Sequence, residues 1–151
     1  KDYQNVIFMN GGDLRAIMGD NLGHNVEDRL VSAGRISRLC KYLGEEGMHV
    51  ICAVQSPFHS TQEWNRSEIK GYFEVYLRAS FPTLLRRDHE NLYRQALQGS
   101  IHNVVGIDIE FVPPQHADLI IENDEDLEDV APLVHQIKSR LPLSVAEPAD
   151  R

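Results

Sequence analysis

The sequence predicts an α/β fold in which helices cover a parallel sheet. Short apolar, β-branched or aromatic runs recur along the chain, and segments with helical spacing separate them. The runs are Val6 to Met9, His49 to Val54, Tyr72 to Leu77 and Asp118 to Ile121. Because the runs are continuously apolar rather than alternating, they predict strands that are buried on both faces, as parallel strands are.

Capping residues and apolar spacing place helices between these strands. Asn25, with Asp28 three residues later, predicts the start of a long crossover helix that ends near Gly44 or Gly47. Shorter helices are predicted from Ser80 to Arg87, from Asn91 to Leu97, and from about Asp129 to Leu141. The stretch 99–117 has little periodicity, and we expect it to be a lid.

Length and charge restrict the class of protein. The 151 residues correspond to about one domain, and the formal net charge of −8 argues against a nucleic-acid partner. No apolar run is long enough to span a membrane and no leader precedes Val6, so we expect a cytoplasmic protein without a membrane partner. Cys40 and Cys52 fall in a predicted helix and a predicted strand, which favours reduced thiols over a disulfide or a metal pair.

An ordered series of short motifs resembles the adenylylsulfate kinase family. From Leu14 to Arg29 the chain reads LRAIMGDNLGHNVEDR, in which LR, a leucine-glycine pair and EDR keep the spacing of that family. The later motifs are Arg35, Ser56-Pro57-Phe58, Arg87-Asp88, Leu92-Tyr93, Gly106-Ile107-Asp108 and Pro114. The resemblance therefore extends from about Val6 to Arg140.

The resemblance implies a P-loop kinase fold that transfers the γ-phosphoryl group of ATP, with Mg²⁺, to the ribose 3′-hydroxyl of a nucleotide acceptor. It implies an adenylylsulfate kinase-like domain at residues 1–141 with a lid at about 87–114, followed by a C-terminal tail at 142–151. The partner that it implies is a small nucleotide. The domain could form a homodimer or be part of a larger polypeptide, and the sequence is compatible with both.

Three arginines match family residues around the acceptor: Arg15, Arg29 and Arg35. A guanidinium group is a planar fork that is always charged, so it suits bidentate contacts with phosphate or sulfate. The alternative for each arginine is a solvated helix face or a surface ion pair.

The resemblance extends the acceptor site to further residues along the chain. These candidates are His24, Ser32, Gln55, His102, Asn103, Gly106, Ile107 and Asp108. Asp108 has the alternative of forming a glycine turn. By the same resemblance Arg87 contacts the ATP phosphates, and its alternative is a helix-terminal cation that complements the macrodipole.

Asp13 and Ser56 are the catalytic candidates. The family's acid-glycine-acid turn is here Asn10-Gly11-Gly12-Asp13, so Asp13 is the carboxylate left in this turn to act as a base or to hold the metal. Its alternative is to cap the following turn. Ser56 occupies the position of a family serine described as a phosphoserine intermediate, and we favour a turn or a substrate contact over covalency.

Departures from the family pattern bear on the substrate. A family phenylalanine is here His24, an asparagine is Ser32, and lid lysines are Glu90 and His102, so the adenylylsulfate pocket is not intact. The run 103–108 is more similar to a divergent branch that includes cytidine diphosphoramidate kinases of capsular polysaccharide modification. Adenylylsulfate, the acceptor in sulfate assimilation, and a non-sulfate acceptor are both open.

The motif G-x-x-x-x-G-K-[ST], which cradles ATP phosphates, does not occur in the sequence. We expect that a segment of about 30 residues outside this sequence carries it, together with a first strand and a first helix. Without that central strand, buried backbone groups would be unpaired at about 1 to 3 kcal/mol each, so we expect the chain not to be stable alone in the family fold. The alternatives to a kinase are a binding or regulatory module that keeps the acceptor site, and a fold kept for assembly.

Overall fold

The computed structural model describes residues 4–19 and 21–142, and it divides into two compact units. Unit 1 extends to Tyr72, and unit 2 is Phe73–Pro142. The tail predicted at 142–151 lies outside the described residues, apart from Pro142. Each unit is a parallel pair of strands with its own helices.

Unit 1 contains two strands and three helices. They are β1 (Val6–Asn10), α1 (Gly11–Met18), α2 (Val26–Glu45), β2 (His49–Ala53) and α3 (His59–Glu68). β1 and β2 are parallel, with Val6 opposite His49 and Asn10 opposite Ala53. Because neighbouring parallel strands need a crossover, the long helix α2 lies between them in the chain, as predicted.

Helix α2 begins where the capping pattern predicts. The Asn25 Oδ1 atom accepts a hydrogen bond from the backbone N–H of Asp28 at 2.8 Å, which satisfies one of the N–H groups at the helix start. After the helix ends, the Gly47 N–H donates to the Gly44 carbonyl at 3.1 Å, and the chain enters β2. The predicted position of this helix is therefore confirmed at both ends.

Two helices of unit 1 are not predicted by the sequence patterns. Helix α1 starts with Gly11 and Gly12, which are poor helix formers, but Asn10 caps it by accepting a hydrogen bond from the Asp13 N–H at 2.9 Å. Helix α3 reads HSTQEWNRSE and has Trp64 as its one large apolar residue, so it lacks an apolar stripe. A local cap specifies α1, and tertiary contacts rather than periodicity specify α3, whose Gln62 side chain donates to the Ser56 carbonyl.

The strands of unit 1 differ from the predicted burial on both faces. Met9 on β1 and Leu14 on α1 are buried, and Leu14 is only 1% exposed. In contrast, Phe8 and its cross-strand neighbour Ile51 are 62% and 55% exposed. The described part of the chain therefore leaves much of this face exposed. An apolar run predicts a buried strand, but it does not predict which other segment of the chain buries it.

Cys40 of α2 and Cys52 of β2 are free, half-buried thiols. The neighbouring Cys52 side chain lowers the pKa of Cys40, whereas the Cys40 side chain and burial raise the pKa of Cys52. Partial exposure corrects the expectation that Cys52 lies in a buried strand.

Unit 2 also contains one parallel pair of strands. Its elements are β3 (Val75–Arg78), α4 (Phe81–Arg86), α5 (Leu92–Leu97), β4 (Leu119–Glu122) and α6 (Ala131–Arg140). Val75 lies opposite Leu119 and Arg78 lies opposite Glu122. The core of this unit includes Leu119 and Ile121, which are both buried. The strand predicted from Tyr72 starts later, at Val75.

The helix starts of unit 2 are predicted well, but their caps are not. Ser80 precedes α4, yet its Oγ lies 3.2 Å from the Thr83 hydroxyl instead of bonding a helix N–H, which corrects the predicted cap. Its own N–H donates to Asp124 Oδ1 at 2.7 Å. Asp129 accepts a hydrogen bond from the Ala131 N–H at 2.8 Å, so α6 begins two residues after the predicted start.

Residues 98–118 contain no helix and no strand beyond a single bridge between Val105 and Ile109. Val104, Val105 and Ile109 are nevertheless buried. The predicted irregular segment is therefore present, and its middle has a small apolar core. Among residues 4–19 and 21–142, no helix is long and apolar enough to cross a membrane.

Candidate functional site

The loop 21–24, between α1 and α2, is the point at which the three predicted acceptor arginines meet. Arg15 of α1 reaches it with one end of its guanidinium group. Its Nη1 atom donates to the carbonyl oxygens of Leu22 at 2.8 Å and Gly23 at 3.3 Å. The Arg15 side chain is half-buried, so these bonds fix the direction in which the guanidinium group points.

The other two arginines approach the same loop from α2. The Nε of Arg29 donates to the His24 carbonyl at 2.7 Å, and Nη1 of Arg35 donates to the Asn21 side-chain oxygen at 3.3 Å. We call Arg15, Arg29 and Arg35 the arginine cluster. The structure therefore brings to one loop the three arginines that the sequence predicts at the acceptor.

The loop under the arginine cluster is held by a carboxylate at the start of α2. Asp28 Oδ2 accepts a hydrogen bond from the Gly23 N–H at 2.8 Å. A Cβ atom at Gly23 would lie 2.8 Å from that same oxygen, so only glycine allows this close approach. The capping pattern of α2 includes Asp28 but does not predict this second contact. The sequence signal for it is a glycine five residues before an aspartate in the first turn of a helix.

The charge of the arginine cluster is only partly compensated. Within the described part of the chain, neither Arg15 nor Arg35 forms an ion pair. His24 is exposed, and partial desolvation, with smaller contributions from the Arg15 and Arg29 charges, lowers its pKa below the usual value. The shift favours the neutral imidazole, so the positive charge of the site resides mainly on guanidinium groups, which suit an anion.

Ser32 lies on α2 between Arg29 and Arg35. Spacings of three residues place the three side chains along one side of the helix. The hydroxyl group of Ser32 is half-buried, next to the cationic positions. This arrangement supplies a neutral hydrogen-bonding group beside two charged ones.

The carboxyl ends of β1 and β2 lie at one edge of the sheet and carry the catalytic candidates. Asp13 follows β1, and the Asn10 side-chain amide donates to its Oδ2 atom at 2.5 Å. The carboxylate is exposed, and the Asp13 N–H bonds to Asn10 in return. Asp13 is thus the third helical residue of a reciprocal cap in which Asn10 is the capping residue.

Gln55 and Ser56 follow β2 at this same edge. A Cβ atom at Gly11 would lie 3.9 Å from Val54, so the start of α1 and the end of β2 are neighbours. The Ser56 carbonyl accepts a hydrogen bond from Gln62 Nε2 at 2.8 Å, and Gln62 is buried. The backbone of Ser56 is therefore anchored to α3, which suits a turn and leaves the Ser56 hydroxyl group for a substrate contact.

In unit 2, Asp108 organises the turn 102–109. Its Oδ2 and Oδ1 atoms accept hydrogen bonds from the N–H groups of Asn103 and Val104, both at 2.5 Å. These bonds hold the pKa of Asp108 below its usual value, and His102, at 3.8 Å, contributes when it is protonated. The turn also includes the predicted site residues Gly106 and Ile107, and the Gly106 N–H donates to the Ile109 carbonyl at 2.7 Å.

Arg87 is the residue at the C-terminal end of α4, and its N–H donates to the Thr83 carbonyl. This position agrees with the alternative that Arg87 is a helix-terminal cation. Its guanidinium group, however, contacts the segment 123–126. It donates to the carbonyl oxygens of Asn123 at 2.7 Å and Glu125 at 2.8 Å, and to Asp126 Oδ1 at 3.0 Å. Sequence reasoning missed this clamp, since nothing local in the chain links Arg87 to residues 36 to 39 positions later.

The residues of this chain do not by themselves fit a bound Mg·ATP. Among the residues that the structure describes, no group of three or more His, Cys, Asp or Glu side chains could hold a metal ion. Asp13, the metal candidate, would be a lone carboxylate ligand. The Arg87 guanidinium is committed to the 123–126 segment, and the sequence has no phosphate-binding motif.

Parallel strand pairs joined by helices are the architecture of the P-loop kinase class, and the arginine cluster lies at the loop between α1 and α2. The profile of the adenylylsulphate kinase family matches residues 1–122. The chain belongs to this family. Its named members are kinases, so the family is one of phosphotransferases.

Two relatives illustrate the two branches. The chain is 37% identical over 134 residues to the cytidine diphosphoramidate kinase of Campylobacter jejuni, and the match covers 87% of this chain and 78% of that protein. It is 33% identical over 130 residues to an adenylyl-sulfate kinase of Pseudomonas aeruginosa, with 85% and 66% covered. The resemblance found in the motifs is thus confirmed, including its similarity to the diphosphoramidate branch.

The solved structures agree with this assignment. The fold is similar to that of the Mycobacterium tuberculosis APS kinase in complex with AMPPNP and APS, with a TM-score of 0.79 and 25% sequence identity. The match covers 89% of this chain and 79% of that one. The predicted α/β fold of the P-loop kinase type is therefore confirmed.

Proposed function

We propose that this chain provides the acceptor site of a kinase that transfers the γ-phosphoryl group of ATP to the ribose 3′-hydroxyl of a nucleotide. The acceptor is adenylylsulfate or a related nucleoside diphosphate derivative such as cytidine diphosphoramidate. The observation that carries the proposal is the meeting of Arg15, Arg29 and Arg35 at the loop 21–24. Both acceptor types carry an anionic anhydride, which matches this charge.

The orientation of the guanidinium groups supports acceptor binding. Arg15 uses Nη1 for two carbonyl oxygens, and its other nitrogens make no hydrogen bond within the described residues. A fork that is fixed at one corner and free at the other is preorganised for a bidentate contact with an oxyanion. The neutral His24 imidazole can then hydrogen-bond the base or the ribose without adding charge.

Asp13 is the proposed proton acceptor for the ribose hydroxyl. Its carboxylate is exposed at the edge of the sheet where parallel α/β folds bind ligands, and Asn10 fixes its direction at 2.5 Å. Ser56, at the end of the neighbouring strand, and Gln55 are proposed to contact the acceptor. In unit 2 the turn 102–109 is the proposed lid element, and Asp108 holds its shape.

The donor nucleotide and its Mg²⁺ are proposed to be held mainly by residues outside these 151. This follows from the missing phosphate-binding motif and from the bonds that occupy Arg87. When bound, the metal would neutralise charge on the transferred phosphoryl group.

A second candidate function is a nucleotide-binding module without efficient transfer. Asn10 and Gly12 stand where the family has carboxylates, and Asn10 occupies one oxygen of Asp13 by hydrogen bonding. This arrangement would preserve acceptor binding through the arginine cluster.

Phosphoryl transfer and acceptor binding separate the two functions. The full-length protein is assayed with ATP and Mg²⁺ against adenylylsulfate and cytidine diphosphoramidate, and acceptor affinity is measured by calorimetry. For the kinase, Asp13→Asn lowers kcat by about 100-fold or more while acceptor affinity stays within about twofold. Binding without measurable transfer by the unmodified protein supports the module, and absence of binding refutes both functions.

A further inference from the structure

A second polar groove lies within unit 1, between α2 and α3, and none of its lining residues belongs to the arginine cluster. Its volume is about 200 Å³. The lining residues are Gly34, Ser37 and Arg38 of α2 and Ser60, Thr61 and Trp64 of α3. We call it the α2–α3 groove. Three hydroxyl groups, one guanidinium group and one indole ring therefore face a common space.

Arg38 supplies the charge of the groove. Over residues 4–19 and 21–142 it makes no hydrogen bond, ion pair or ring contact. Its guanidinium group folds back over Gly34, where a Cβ atom would lie 3.4 Å from Nη1. Glycine at this position thus makes room for a charged fork that no carboxylate neutralises, in contrast to Arg87 of unit 2.

Ser37 is the second observation that points to a ligand. The residue is only 5% exposed, and it lines the groove. In the part of the chain that the structure describes, its hydroxyl group has no hydrogen-bond partner. The hydroxyl oxygen itself is not fully enclosed, so it is accessible from the groove and can donate a hydrogen bond to a molecule bound there.

The first turn of α3 faces the groove with Ser60 and Thr61. Phe58 precedes the helix and offers no side-chain cap, so the helix start keeps its partial positive charge. The helix has ten residues. Hydroxyl groups and a helix start are the donors that bind an oxyanion in many proteins.

The Trp64 ring forms one wall of the groove, and its contact with Lys41 holds the ring in place. The Lys41 ammonium group lies 5.9 Å from the centre of the indole ring, and it bonds to Glu68 at 2.9 Å. The ring is therefore held by a cation–π contact and an ion pair.

We propose that the α2–α3 groove is a second anion site, which binds the tetrahedral phosphate or sulfate group of a small molecule. Arg38 provides the charge, and the hydroxyl groups of Ser37, Ser60 and Thr61 donate hydrogen bonds to the oxyanion. Trp64 packs against the remainder of the molecule. The site has different lining residues from the proposed acceptor site and does not depend on the proposed kinase activity.

The chain offers a direct probe, because Trp64 is its only tryptophan. The protein is titrated with sodium phosphate or sodium sulfate while its intrinsic fluorescence is recorded, and sodium chloride at equal ionic strength is the control. We expect a saturable change with both oxyanions and none with chloride. An equal change with chloride would reduce the effect to screening of Lys41 and would overturn the proposal.

Variants locate the binding. Arg38→Gln should weaken phosphate binding at least tenfold, whereas Arg140→Gln, which removes the same charge from the exposed face of α6, should leave it unchanged. Ser37→Ala should weaken it several-fold, and it decides the question if circular dichroism shows that Arg38→Gln is unfolded. Unchanged affinity in folded Arg38→Gln, or in Ser37→Ala when the arginine variant does not fold, refutes the site.

Arg15→Gln separates this proposal from the proposed function. It should weaken acceptor binding and leave the phosphate response of Trp64 as it is. Loss of that response in Arg15→Gln would mean that the oxyanion binds at the arginine cluster instead, and the groove proposal would fail while the acceptor proposal would stand.

Discussion

Arginine side chains are used in opposite ways in the two units. In unit 2, Arg86 and Arg87 both pair with the Asp126 carboxylate, and Arg87 also binds backbone carbonyls. In unit 1, Arg15 and Arg35 donate to a neutral backbone or amide oxygen. A carboxylate neutralises a guanidinium group, whereas a carbonyl oxygen orients it and leaves its charge available. Arg86 and Arg87 of unit 2 therefore have a structural role, whereas the charge of Arg15 and Arg35 in unit 1 stays available for the anionic acceptor that we propose.

The shifts in pKa also differ between the two units. Hydrogen bonds from Arg86 and Arg87 lower the pKa of Asp126, and one from Arg78 lowers that of Glu122. In unit 1 it is an imidazole that responds, since burial and the neighbouring guanidinium charges lower the pKa of His24. Compensated charge in one unit and exposed positive charge in the other coexist in a chain whose net charge is −8.

The largest expected effect tests the structural role of Arg87. Replacing it with alanine should lower the free energy of unfolding by about 2 to 3 kcal/mol, because several hydrogen bonds to the 123–126 segment are lost. Urea denaturation measures the change, and amide hydrogen exchange should show the loss of protection at residues 123–126. Arg140→Ala, at an exposed position, is the matched control. An unchanged stability together with a large loss of ATP affinity would instead assign Arg87 to the donor site.

The next effect tests the opposite role in unit 1. Arg29→Ala should weaken acceptor binding by about 1.5 to 3 kcal/mol, as expected for the loss of a hydrogen bond to a charged group. Calorimetry with each acceptor nucleotide measures it. Arg66→Ala, which changes an exposed arginine of α3, should leave the affinity unchanged. Equal affinities of all three proteins would remove Arg29 from the site.

A smaller effect concerns the loop that the arginine cluster holds. Gly23→Ala places a Cβ atom 2.8 Å from Asp28 Oδ2, so the bond between Asp28 and the loop must lengthen. We expect a loss of about 1 to 2 kcal/mol in stability and weaker acceptor binding. Gly44→Ala, in helix α2 with no heavy atom within 4 Å of the new Cβ, is the control and should be neutral or stabilising. A variant at Gly23 that behaves like the one at Gly44 would show that the loop is not held by Asp28.

Much of the fold is local information, and the sequence carries it. The Asn25 cap and the apolar stripe of α2 predict that helix, and continuous apolar runs predict the four strands to within three residues. Helices α1 and α3 escape prediction because glycines and polar residues fill them, and their stability comes from capping by Asn10 and from contacts across the unit. Burial escapes too, as exposed Phe8 demonstrates.

The site divides along a similar line. Arg15, Arg29 and Arg35 are identified through motifs, and their meeting at one loop agrees with that expectation. Arg87 belongs to the same kind of motif, yet its partners lie 36 to 39 residues later in the chain, and no local pattern encodes such a pairing. A motif indicates which arginines are candidates for the site. Tertiary contacts determine whether the charge of each arginine stays available to a ligand.

The smallest expected effect is the pH response of Asp108, a carboxylate that, unlike Asp126, is paired mainly with backbone N–H groups. These bonds lower its pKa in the folded state, so it stabilises the turn 102–109 above the ordinary aspartate pKa of about 3.9, and this contribution is lost as the pH falls through the lowered value. The amide proton shifts of Asn103 and Val104, followed by NMR, should titrate with a midpoint below 3.9. In Asp108→Asn this titration should vanish, and in Glu110→Gln, which removes a neighbouring exposed charge, it should persist. A midpoint at or above the ordinary value would mean that the backbone bonds do not hold the carboxylate in solution, and the turn would then lose the element that we propose shapes the lid.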